Sequence, residues 1–215
     1  MCGRFALVSD AAAIVEEFAV RDSSYDFKPN WNVTPGQYIP AVIHREGRNS
    51  LASFLWGLIP LWAKDPSMGH RLINARAETI DAKPSFRSAF SKRRCLIVAD
   101  GFYEWKKEGT KKIPLYFHMK SKEPFGLAGL YETWTSQDKT EIKSCAIITT
   151  AANKLIAPIH DRMPVIVPKK QEQVWISDKM EDKATLLSIL KPYPAEEMDY
   201  KIGIGPRFAQ VKERL

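Results

Sequence analysis

A cysteine at position 2 becomes the first residue of a chain when an initiator methionine is removed, and a side chain as small as cysteine permits that removal. The product is a 1,2-aminothiol, which an internal cysteine cannot offer. Its amine (reference pKa ~8) and thiol (~8.5) each keep a minor reactive fraction near neutral pH. The amine condenses with an aldehyde to an imine, and the thiol then closes on the imine carbon as a five-membered thiazolidine. An aldehyde partner would be held covalently. Gly3 allows close backbone approach, and Arg4 offers a guanidinium to a phosphate. Taken alone, Met1-Cys2 is better explained as an accident beside a start codon. The other cysteines, Cys95 and Cys145, lie in apolar runs and read as buried small hydrophobes. Three widely spaced cysteines with no CxxC pair argue against a disulfide framework or a structural zinc site.

Three further segments carry groups capable of chemistry. In Leu72–Thr79, strand alternation puts Asn74, Arg76 and Glu78 on one face and Ala75 and Ala77 on the other. That suits the wall of a site, and equally an Arg–Glu pair on an exposed edge strand. Glu104 sits between Tyr103 and Trp105 after Gly101, where apolar surroundings would raise its pKa and let it hold a proton near neutrality. A rim glutamate on a hairpin is the commoner explanation of such a residue. His160 lies between prolines in the triplet His160-Asp161-Arg162, and its ring suits proton transfer. His44, His70 and His118 show no metal spacing and read as surface or structural residues. Lys106-Lys107 and Lys111-Lys112 flank a turn and read first as solvated, with DNA contact second. Trp56 and Trp62 could stack on an unpaired base, though core packing explains most tryptophans.

The elements that must position these groups follow from patterning. A helix is expected over 10–18, capped by Ser9, with Ile14, Val15 and Phe18 on its apolar face. A polar loop runs through Asn30–Gly36. Short strands are expected at 38–44, 51–58, 94–99, 113–119, 125–132, 144–150 and 164–167, with a turn at Glu108-Gly109. Helices follow near 84–91, 170–176 and 183–190. The result is one α+β domain over 1–215 built round antiparallel β structure, with 200–215 loosely held. The 215 residues, 45% hydrophobic and 27% charged, suit one soluble domain with a real core. No apolar run approaches the ~20 residues of a membrane span, and the first residues lack a secretory core, which points to a cytoplasmic protein. A net charge of +7 is compatible with nucleic acid without establishing it.

Six motifs stand in order: Met1-Cys2-Gly3-Arg4-Phe5, Asn32-Val33-Thr34-Pro35-Gly36, Trp56-Gly57-Leu58-Ile59-Pro60, Asn74-Ala75-Arg76-Ala77-Glu78-Thr79, Gly101-Phe102-Tyr103-Glu104-Trp105 and His160-Asp161-Arg162-Met163-Pro164. Together they closely resemble the SRAP family, the SOS-response-associated peptidases also called abasic-site processing proteins. The resemblance runs from Cys2 to about Lys191. It implies a compact, barrel-like antiparallel core with peripheral helices, and a thiazolidine crosslink between Cys2 and abasic sites in single-stranded DNA. By the same likeness Asn74 orients the opened deoxyribose, Glu104 transfers protons, and His160 assists the Schiff-base step beside the 3′ phosphate. Arg4 and Arg76 match positions that grip phosphates, and Arg162 is expected at the same interface. Pro35 or Trp62 would wedge into the gap left by the missing base. No cofactor and no metal are implied, and the protein is expected to act as a monomer. The family's Val- and Asn-rich strand near the C-terminus has no evident match in Tyr200–Phe208.

Three functions compete on these residues. The first is a DNA-repair protein that shields abasic sites by reversible covalent attachment. The second is a thiol protease or N-terminal-nucleophile hydrolase using Cys2 with Glu104 and His160, for which cleavage of the Met1–Cys2 bond could be the only peptide hydrolysis. The third is a non-catalytic reader of single-stranded or modified DNA, resting on charge and aromatic residues.

Overall fold

A computed structural model describes residues 2–23, 27–180 and 182–203. In chain order, β1 (Phe5–Leu7), α1 (Ala11–Glu17), β2 (Val20–Ser23) and β3 (Asn30–Val33) lead into the hairpin of β4 (Tyr38–Arg45) and β5 (Arg48–Trp56). A 3-10 turn at Pro66–Arg71 precedes β6 (Asn74–Arg76) and a second at Ala77–Thr79. Then come α2 (Arg87–Lys92), β7 (Arg94–Ala99), β8 (Gly101–Glu108), β9 (Lys111–Met119), β10 (Phe125–Thr135) and β11 (Glu141–Ala151). The chain ends its described course with β12 (Arg162–Pro164), α3 (Lys169–Ile176), α4 (Lys183–Ile189) and β13 (Met198–Ile202).

Five of these strands form a closed ring. β11 pairs with β10, β10 with β7, β7 with β4, β4 with β5, and β5 returns to β11. Closure removes the free edges that an open sheet of this length would present. The closing β5–β11 contact is parallel, as are β2–β5 and β6–β11, so the core is mainly rather than wholly antiparallel. A second sheet, ordered β13-β9-β8-β1-β3, packs beside the ring. The expected strand at 94–99 is reproduced residue for residue, and every residue of it is buried. Cys95 and Cys145 are fully buried on β7 and β11, the two strands that flank β10, as their apolar surroundings implied.

Four expectations need correction. Asn30–Val33 is a strand, because β1 supplies the pairing that its polar sequence does not advertise. Asp10, not Ser9, caps α1 by accepting from the Ala13 amide at 2.8 Å, while Ser9 turns its amide and hydroxyl to Asp100. The last strand of the 164–167 segment lies earlier, at Arg162–Pro164. The segment from Tyr200 is not loose throughout: Met198–Ile202 pairs with β9 along its whole length. Residues 204–215 lie outside the described part.

Arg94 staples the helices to the ring. It is buried, and its guanidinium donates to the carbonyls of Phe90 and Ser91 in the last turn of α2, of Trp175 in the last turn of α3, and of Ser177 and Met180 beyond it. Most of those carbonyls lie beyond the reach of further helical amides, although Ser177 also accepts from the Met180 amide at 3.3 Å, and a cation is favoured there. Arg94→Met strands several buried acceptors at once, so a loss of about 3–5 kcal/mol is expected in urea unfolding. A loss below 1 kcal/mol would show that water replaces the guanidinium.

Candidate functional site

The pairing of β1 with β8 sets the position of Cys2. Phe5 faces Phe102, Ala6 faces Gly101, and the Tyr103 amide donates to the Arg4 carbonyl at 3.0 Å. The same antiparallel line carries Cys2 up to the carboxylate of Glu104. Gly101 lets β8 lie close against β9, because a Cβ there would lie 2.4 Å from the Tyr116 ring and 2.5 Å from the Phe117 carbonyl oxygen. Cys2 itself is fully buried, with Phe5 tilted against Trp56 at 5.2 Å just below it in sequence.

Asn74 holds Cys2 from the other side. Its Nδ2 donates to the Cys2 carbonyl at 2.8 Å. The Trp56-Gly57-Leu58-Ile59-Pro60 segment fixes the strand that bears it: the Trp56 indole donates to the Ile73 carbonyl at 3.0 Å and the Leu58 amide to the Leu72 carbonyl at 3.1 Å. Gly57, at φ +141°, faces Gly69 so closely that a Cβ would meet the Gly69 oxygen at 2.8 Å. Trp56 is therefore a buried brace rather than a stacking platform. Asn74 Oδ1 is buried with no hydrogen-bond partner among the described residues, an acceptor aimed at nothing the protein supplies. Both Asn74→Ala and Asn74→Asp lose the amide donor. Each is expected to slow the Cys2 reaction roughly 10- to 100-fold in single-turnover assays, since a misplacement near 1 Å costs about that much. Unchanged rates in both would remove Asn74 from the site.

The electrostatics follow from burial. Glu104 is 4% exposed between two aromatics, and desolvation raises its pKa above the usual carboxylate range, with His160 opposing. Desolvation, followed by the charge of Glu104, pushes the Cys2 thiol up to about 12. A thiol so placed reacts only if a base takes its proton, and Glu104 is the carboxylate whose charge it feels. His160 accepts the Arg162 amide on Nδ1 at 2.9 Å, which leaves its neutral ring protonated at Nε2. Protonation of Nδ1 would exchange that bond for the Asp161 carboxylate, also 2.9 Å away but largely exposed.

Arg4, Glu104, Trp105, Lys107, Lys112 and His160 line one cleft of about 440 Å³. The Arg4 guanidinium lies 5.1 Å from the centre of the Trp105 ring. Lys107 and Lys112 face each other directly across β8 and β9, a like-charge pair that costs stability unless an anion sits between them. Among the described residues neither has an ion-pair partner, whereas Lys106 pairs with Glu108 at 2.6 Å. All four lysines are exposed, as the solvated-turn reading expected, and Lys107 and Lys112 in addition line the cleft. The sequence signal, two lysines on either side of a turn, was present but did not show which pair converges on Arg4.

The remaining expected contacts are scattered. Arg76 is exposed at the end of β6, and the alternation foreseen for Asn74, Arg76 and Glu78 holds even though the strand stops at Arg76. Arg162 is already engaged: its guanidinium binds both oxygens of Glu78 at 2.6 and 2.9 Å and the Thr149 carbonyl at 2.6 Å. Pro35 is half-buried, and Trp62 is 56% exposed with its indole 3.4 Å from the Pro84 carbonyl. No group of three or more His, Cys, Asp or Glu side chains is arranged for a metal among the described residues. No described helix is long and apolar enough to cross a membrane.

Comparison with known proteins gives a consistent result. The family model described as SOS response associated peptidase (SRAP) matches residues 1–202. The chain is 45% identical over 202 residues to the abasic site processing protein YoqW of Bacillus subtilis (strain 168), covering 93% of this chain and 90% of that protein. It is 32% identical over 188 residues to the abasic site processing protein YedK of Escherichia coli (strain K12), covering 85% and 82%. A crystal structure of a protein from Bacteroides thetaiotaomicron superposes with a TM-score of 0.87 at 29% identity, covering 95% of this chain and 93% of that one.

Proposed function

The chain belongs to the SOS response associated peptidase (SRAP) family, and we propose that it processes abasic sites in single-stranded DNA by forming a thiazolidine crosslink through Cys2. The observation that carries this reading is the placement of Cys2: its carbonyl is held by Asn74 at 2.8 Å and its thiol lies within the field of a buried carboxylate, Glu104, that lines a cationic cleft. The relatives YoqW and YedK are named as abasic site processing proteins, which supports the same substrate class.

The reaction requires Met1 to be removed, so that Cys2 carries a free α-amine. An abasic sugar in its open form supplies the aldehyde. The amine adds to that carbon and water leaves, giving the imine. Glu104 takes the thiol proton as sulfur attacks the imine carbon, and a proton returns to the ring nitrogen. Reversal runs the same transfers backwards, with Glu104 as the acid. Asn74 Oδ1, buried and unpartnered, is suited to accept from the sugar hydroxyl freed by ring opening. His160, Arg4, Lys107 and Lys112 face the cleft where the flanking phosphates would lie. Exclusion of bulk water from a fully buried Cys2 would protect the imine before sulfur closes on it.

A thiol protease would need a thiolate ready to attack, and burial works against one here. The separating experiment is a denaturing gel of the mature protein mixed with single-stranded DNA bearing one abasic site. A slow-moving adduct is expected, absent with intact-base DNA. Turnover of unrelated peptides without any adduct would favour the protease, and affinity without an adduct a plain reader of DNA.

A further inference from the structure

A second pocket, about 280 Å³, lies on the same sheet face as the cleft and is lined by Trp31, Tyr116, His118, Lys122 and Lys201 together with the Val8–Ser9 turn and Asp100. Strand alternation explains the shared face. Tyr103, Trp105 and Lys107 on β8 oppose Tyr116, Pro114 and Lys112 on β9, and Lys201 on β13 opposes Tyr116. The rings form an unbroken series: Trp105 to Tyr103 is 6.4 Å, Tyr103 to Tyr116 is 5.1 Å, and Tyr116 lies 6.0 Å from Trp31 and 5.7 Å from His118. Arg4 caps the series at the cleft end, and Lys122 and Lys201 stand at the other.

His118 is the telling member. It is 8% exposed, and its Nδ1 donates to the Met119 carbonyl at 2.9 Å, which leaves Nε2 as a lone-pair acceptor. That nitrogen is buried and has no partner among the described residues. The carboxylates nearby already accept hydrogen bonds, and Asp199 shares the face of His118 as its cross-strand partner. Asp100 accepts from the Val8 and Ser9 amides and the Ser9 hydroxyl, and Asp199, opposite His118, accepts from the Tyr200 amide. Aromatic faces tilted to one another by 31–60°, one acceptor at their base and two lysines at the mouth match a nucleobase with an N–H edge and its phosphate.

We infer that this pocket is a nucleotide subsite that holds one base of the same DNA strand away from the abasic position, with Trp31 and Tyr116 against the base, His118 Nε2 accepting from it and Lys122 and Lys201 on its phosphate. The inference rests on the functional reading above. It is tested with single strands carrying a non-reactive abasic analogue, one of roughly 5 nucleotides and others of roughly 15 extended to either side. The exposed double variant Lys122→Glu with Lys201→Glu, and separately His118→Leu, should bind the longer strand of one polarity about ten-fold more weakly and the short strand as wild type does. Loss of two lysine–phosphate contacts should also flatten the slope of log affinity against log salt by about 1.4. Equal loss on short and long strands, no loss on any, or binding of free deoxyadenosine monophosphate with no effect of strand length would overturn the subsite. Adduct formation at Cys2 is scored separately on reactive strands. Its absence from all of them would count against the crosslinking reaction, and the length dependence would still decide the subsite.

Discussion

A Cys2→Ala variant is expected to bind abasic single-stranded DNA with nearly wild-type affinity and to form no adduct that survives denaturation. The cleft that would hold the phosphates is built from Arg4, Lys107, Lys112 and His160, none of which depends on the Cys2 side chain. What the variant lacks is sulfur. Its α-amine still makes an imine, but nothing closes on the imine carbon, and water returns the aldehyde. Borohydride should therefore trap a covalent product with Cys2→Ala that disappears when the reductant is omitted. Wild type should give an adduct under both conditions. Equal stability of the two adducts without reductant would mean that the thiol takes no part. A truncation from cysteine to alanine in a fully buried position also leaves a small void, worth about 1 kcal/mol, so the variant should remain folded.

Replacing Glu104 with glutamine carries the second large effect. General acid–base groups contribute roughly 10²- to 10⁴-fold, and here the base works on a thiol whose burial opposes ionisation. Glu104→Gln should slow both crosslinking and its reversal within that range, because the same carboxylate serves both directions. The pH dependence should change as well. Wild-type crosslinking rises with pH as Glu104 ionises, and the rise lies above the usual carboxylate range because burial raises its pKa. The glutamine variant should lack that limb and keep only the rise due to the α-amine near its reference pKa of ~8.

Stability supplies an independent check on the same residue. The folded pKa of Glu104 lies above its unfolded value of ~4.3, so the folded state keeps a proton that the unfolded state has released. Stability is therefore lost as pH rises from the unfolded pKa through the folded one. Glu104→Gln removes that loss. The variant should melt no lower than wild type at pH 7, with its advantage fading below about pH 4. A slow enzyme that is also less stable at neutral pH would point to a structural role for Glu104 instead.

Much of this was legible in the sequence, and the parts that were not share a physical cause. The strand at 94–99 and the burial of Cys95 and Cys145 follow from apolar runs, which need no knowledge of distant partners. The alternation of Asn74, Arg76 and Glu78 against Ala75 and Ala77 survives even where the backbone changes from strand to 3-10 turn. By contrast, β3 is polar and β13 is short, and each exists because a remote strand offers it hydrogen bonds. Ser9 was a reasonable cap until Asp100, far along the chain, claimed its amide and hydroxyl. Arg162 was expected at the DNA interface from its place beside His160. Only the fold reveals that Glu78 and Thr149 already occupy its guanidinium, while Lys107 and Lys112 converge on the cleft. Residue type and local spacing could identify groups able to do chemistry, but not which of them were already engaged.

Peptide mass spectrometry of the adduct examines the Cys2–sugar bond directly. Mature protein is reacted with an abasic single strand, digested with protease and nuclease, and the modified peptide is fragmented. The predicted product carries the sugar on Cys2 with Met1 absent, at the summed mass of peptide and sugar fragment less one water. It should also be unreactive toward thiol-alkylating reagent, since its sulfur is closed into the ring. Attachment to a lysine, a Cys2 thiol still open to alkylation, or an adduct on a chain that retains Met1 would contradict the thiazolidine.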